Sequence, residues 1–83
     1  MPLHPDHKAG LEAALKHARM MVEHYQEQAE MYPRENAALE VAGLKPRYNQ
    51  AALKWARDGM ADYQSQAEAL EFVIDRDNQE RAA

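Results

Sequence analysis

The sequence predicts an all-α protein: two long antiparallel helices carrying an internal repeat, joined by a short helix, with two chains assembling as a dimeric helical bundle. Three observations lead there. Ala13 to Glu30 and Ala51 to Glu68 agree at 11 of 18 positions with a constant offset of 38, where composition gives about one or two matches. Apolar residues in and around both copies recur three or four positions apart, and no segment alternates as a strand does. Pro5, Pro33, Gly43 and Pro46 fall where helices start or stop.

The first helix is expected over about residues 6–32. Its apolar residues are Leu11, Leu15, Ala18, Val22, Tyr25, Ala29 and Tyr32, a 4-3-4-3-4-3 spacing that draws one stripe along a helix. Pro5 and Asp6 suit its first turn, the proline because its missing N–H is unneeded there and the acid because it meets the positive end of the dipole. Pro33 should end it, because a residue that precedes proline is pushed out of helical geometry. A short helix over about 34–42 follows, with Gly43 as its left-handed cap and Leu44 making the accompanying apolar contact. The second long helix is expected over about 46–78, with Pro46 in its first turn and the stripe Leu53, Ala56, Met60, Tyr63, Ala67, Leu70 and Ile74. Residues 75–79 should fray. Gly59 lies inside this helix at a cost of about 1 kcal/mol relative to alanine.

Charge sets the expected orientation. In each copy the basic residues come first (Lys16 and Arg19, or Lys54 and Arg57) and the acids follow (Glu23, Glu27 and Glu30, or Asp58, Asp62, Glu68 and Glu71). Antiparallel packing sets the basic end of one helix beside the acidic end of the other, whereas parallel packing sets like beside like. Exposed pairs contribute below about 1 kcal/mol each, so charge here selects orientation more than it stabilises.

The 83 residues make a single domain, and a chain of this size removes only about 60% of its unfolded surface from water. A homodimer that shares the remaining apolar surface is therefore expected. There is no cysteine, so packing rather than disulfides or thiolate metal sites must hold the fold. Neither a membrane-length apolar stretch nor a leader pattern is present, which points to a cytoplasmic location. The net charge of −4 hides segregation: residues 34–57 carry five basic and two acidic side chains, while residues 58–83 carry two and seven.

Catalytic signals are sparse. Ser65 is the only serine and no glycine-rich phosphate loop occurs, so no enzyme activity is expected. His17, His24 and Glu27 share a helical face that could hold a metal, but the second copy puts Trp55, Asp62 and Ser65 in their places. Neither a metal nor a cofactor is expected. The function that remains is a small protein–protein interaction module acting as an adaptor, regulator or inhibitor, with Trp55, Tyr48, Met20 and Met31 at the interface with a second protein. The alternative is a DNA-binding regulator. Residues 33–57 have the layout of a helix-turn-helix, in which Arg47, Asn49 and Gln50 would meet bases and Lys45 and Lys54 phosphates.

Overall fold

Across residues 3–82, which the computed structural model describes, the chain forms two helices, α1 (Pro5–Val41) and α2 (Gln50–Ala82). Partner numbers fall on one helix as they rise on the other: Arg19 meets Glu71, Tyr25 meets Tyr63 and Tyr32 meets Tyr48. The helices are thus antiparallel along their whole length, as the charge order required. Arg19 and Glu71 supply the expected cross-helix ion pair at 2.6 Å, exposed enough to guide register rather than stabilise strongly.

The ends of α1 follow local rules. His4 caps its start by accepting the Asp6 N–H on ring Nδ1 at 3.2 Å, with Pro5 in the first turn. Gly43 has φ +77°, and the Leu44 N–H reaches the Leu39 carbonyl at 2.8 Å while the Gly43 N–H reaches that of Glu40 at 3.0 Å. These are the two bonds of a Schellman cap, which the left-handed glycine makes possible.

Two expectations fail between these ends. Pro33 does not stop the helix, and residues 34–41 are the last turns of α1 rather than part of a separate short helix. The seam spacing runs on through Tyr32, Asn36 and Leu39, and both Tyr32 and Asn36 are engaged across the turn. The Tyr32 ring stacks on Tyr48 with centroids 3.9 Å apart. Asn36 accepts the N–H groups of Arg47 and Tyr48, each at 3.0 Å, and donates to the Tyr48 carbonyl at 2.8 Å. Tertiary contacts thus outweigh a local preference against the residue before proline. Likewise α2 begins at Gln50 and not at Pro46, because Asn49 is its cap: its Oδ1 accepts the Ala52 N–H at 2.8 Å.

The far end of α2 does not fray at residues 75–79 but runs to Ala82. Asp77, three residues beyond Ile74, occupies the next seam position and is only 3% exposed. It accepts the Leu3 N–H at 2.6 Å and the Arg81 Nε–H at 2.8 Å, with Lys8 Nζ at 3.6 Å. The Arg81 hydrogen bond first, and the Leu3 N–H second, hold the Asp77 carboxyl below its ordinary value of 3.8. Its contribution to stability is therefore present in full above that ordinary value and lost as pH falls through the lower folded one. Asp77→Asn should flatten the fall in Tm below pH 4 relative to the parent protein, as measured by thermal scans at constant ionic strength. An unchanged acid limb would show that Asp77 does not tie the chain ends together.

The core between the helices is thin. Leu15, Ala18, Ala67 and Ile74 form it, with Leu11, Tyr63 and Leu70 packed against them, and Ala56 is fully covered. Alanine at seam positions lets the helices approach closely, but each adds little buried area. The result is a rod of 63 × 16 × 14 Å with a radius of gyration of 18.6 Å, against about 12 Å for a compact chain of this length.

Candidate interaction surface

The seam leaves two long sides, one on each flank of the helix pair, and they differ in composition. On one side a groove has Leu15, Val22, Ala67 and Ile74 on its floor, with Arg19, Glu23, Glu68 and Glu71 among its walls. The flanking positions that line this side, taken at seven-residue spacing along both helices, hold Glu12, Lys16, Arg19, Glu23, Glu30 and Glu40 from α1. From α2 they hold Lys54, Arg57, Glu68, Glu71 and Asp75. That makes eleven charged residues. The flanking positions on the other side hold four, namely Glu35, Asp62, Arg76 and Glu80. One side of the rod is strongly charged and the other weakly.

Aromatic rings line the weakly charged side. Tyr25 and Tyr63 stack across the seam with centroids 5.8 Å apart. Trp55 sets its edge against Tyr25 at 4.9 Å, and His17 sets its edge against Tyr63 at 6.1 Å. His17 and Trp55 lie 38 residues apart, as do the two tyrosines, so the cluster has near-twofold geometry. His24 adds a tilted contact to Tyr25 at 5.6 Å. The Tyr25 ring lies directly over Gly59. Between the tyrosine pair and the turn, the Tyr32–Tyr48 stack continues the row.

The four residues expected at an interface do not share one side. Trp55 is 53% exposed despite its contact with Tyr25, and Met31 is 44% exposed at a position seven residues from His24. Both belong to the weakly charged side. Tyr48 lies in the same row but is half-buried, its ring covered by Tyr32 and flanked by the Arg47 guanidinium at 5.7 Å. Glu35 raises the Tyr48 phenol above its ordinary value of 10.0 chiefly through a hydrogen bond, with burial second. Met20, 57% exposed, borders the groove on the charged side. Met21, Ala69 and Val73 were not singled out in the sequence, yet they occupy the weakly charged side. Counting every seventh residue outward from the seam, instead of following the stripe itself, was the signal that could have found them.

The residues of the nucleic-acid alternative gather around the turn. Lys45, Arg47, Asn49, Gln50 and Lys54 are all exposed. Arg47 stands 3.9 Å from Glu35, Lys54 pairs with Asp58 at 3.0 Å, and the Asn49 side chain is engaged in capping α2. The two helices that flank this segment lie antiparallel against each other instead of crossing steeply, as the helices of a helix-turn-helix do. His17 and His24 are engaged with Tyr63 and Tyr25, and His24 also lies 3.2 Å from Gln28 Nε2. Among the described residues, no three histidine or acidic side chains are grouped to hold a metal ion, and no helix is long and apolar enough to cross a membrane. No protein-family model, curated protein or solved structure matches the chain.

Proposed function

We propose that this protein is a small helical interaction module, an adaptor, regulator or inhibitor without catalytic chemistry of its own, and that its first partner is another copy of itself. The observation that carries this reading is surface area. The chain exposes 6299 Å², whereas a compact monomer of 9.5 kDa exposes about 5,000 Å². An excess of roughly 1,300 Å² per chain is the amount that a large homodimer interface removes from water. The exposed Trp55, Met31, Phe72 and Val73 supply apolar surface for it. The repeated sequence pattern fits the same reading, since two similar amphipathic helices make a hairpin whose outer sides can pair again as a four-helix bundle.

The nucleic-acid reading has less support, because Asn49 and Arg47 are already engaged within the turn. Size-exclusion chromatography with light scattering should give twice the chain mass at about 50 µM, a concentration suited to micromolar affinity. The thermal midpoint should also rise with protein concentration. A single-chain mass and a midpoint independent of concentration would remove the self-association at the centre of the reading.

A further inference from the structure

We infer that the weakly charged side is where a second copy of the chain docks, antiparallel to the first, so that Trp55 of each copy rests on Ala69 and Val73 of the other. This rests on the self-associating reading above and adds the face and the orientation. Four formal charges on this side, against eleven opposite, decide the face, because an unpaired charge is costly to bury and a solvated one costs nothing. Exposed Trp55, Met31 and Val73 then become covered together.

Shape decides the orientation. Turnward of the Tyr25–Tyr63 stack α2 presents Trp55 on this side, with Met31 on α1, while beyond the stack α2 presents the smaller Ala69 and Val73, the bulkier His17 and Met21 of that half lying on α1. A twofold axis through the tyrosine stack lays bulky on small twice over, as an isologous interface requires. A parallel copy instead lays Trp55 of one chain towards Met31 of the other. Trp55 is eight residues turnward of Tyr63, so an antiparallel α2 presents its own residue about eight positions the other way, between Ala69 and Val73. Charge agrees. Residues 34–57 sum to +3, and the opposite pole sums to −2, with +1 from residues 3–20 and −3 from residues 66–82. Antiparallel docking brings these poles together.

Paired variants test the face. Ala69 and Ala61 are both exposed alanines on α2, one on each side of the rod, and glutamate is acceptable to a helix at either. Ala69→Glu should weaken the dimer by about 100-fold, and Ala61→Glu by less than about 3-fold, in sedimentation equilibrium. Far-UV circular dichroism keeps a folding defect from being mistaken for a docking one. Orientation is read from a spin label at Ala38→Cys, in a chain that has no other cysteine. Thirteen residues separate Ala38 from Tyr25, so antiparallel copies hold their labels about 40 Å apart, and parallel copies hold them within about 20 Å. A dimer indifferent to Ala69→Glu, or a short label distance, overturns this inference and leaves self-association standing. A chain that is monomeric throughout overturns both.

Discussion

Gly59→Ala is expected to destabilise the protein by about 1 kcal/mol, although alanine is the better helix former by a similar amount. A Cβ at this position would lie 2.7 Å from Cε1 and Cζ of Tyr25 and 2.8 Å from its Cδ1. The ring has no easy retreat, because Trp55 sits against one part of it at 4.9 Å and Tyr63 stacks on it at 5.8 Å. Forcing extra atoms into such a contact costs about 1–3 kcal/mol, and more when several groups must move together. The clash therefore outweighs the gain in propensity. Urea titrations at one fixed protein concentration measure the difference, and the double variant separates the causes. With Tyr25→Ala already present, Gly59→Ala should become stabilising by about 1 kcal/mol. Stabilisation by Gly59→Ala in the parent protein would mean that Tyr25 does not lie over that glycine.

Pro33→Ala should act in the opposite direction and stabilise the protein by about 2 kcal/mol. Proline in a helix interior costs about 3 kcal/mol, because it removes one backbone donor and crowds the carbonyl four residues before it. Here that carbonyl belongs to Ala29, on the helix that continues to Val41. Alanine restores the donor, while the freer unfolded chain takes back about 1 kcal/mol. Pro33 is exposed and its replacement disturbs no packing. A higher urea midpoint with an unchanged slope is the expected record. A lower midpoint would show that the proline sets a bend on which the Asn36 and Tyr48 contacts depend.

These two residues also mark how far the fold could be read from the chain. The long 3-and-4 spacing identified both helices, the order of charges gave their antiparallel arrangement, and Gly43 is a left-handed cap as its position indicated, though of α1 and not of a separate short helix. Each of these signals is local or periodic. Pro33 was misread because a local rule was set against contacts with Tyr48 and the turn, which lie more than ten residues away. Asn36 and Asn49 show the same limit: both carry amides suited to several roles, and only the folded turn assigns one to clamping and the other to capping. Asp77 was legible in principle, three residues past Ile74 on the stripe, but an acid at a seam position reads as the end of a pattern until its partners Leu3, Lys8 and Arg81 are in view. For the proposed interaction surface, Trp55, Tyr48 and Met31 were named from their edge or off-stripe positions, and the fold puts them along one side. The contrast between the two sides needed both helices placed together, and it separates Met20 from the other three.

The hairpin's cross-links also carry an order in time. Those nearest the turn join residues 11 apart, as Arg47 and Asn36 do, those midway join residues 52 apart, as Arg19 and Glu71 do, and the Arg81–Leu3 bond spans 78. Closing a short loop sacrifices less chain freedom than closing a long one. The two helices therefore meet first beside Asn36 and zip toward the termini, and they part in reverse. Exchange pulsed during refolding should accordingly protect amides near Tyr32 and Ala56 first and those beside Asp77 last.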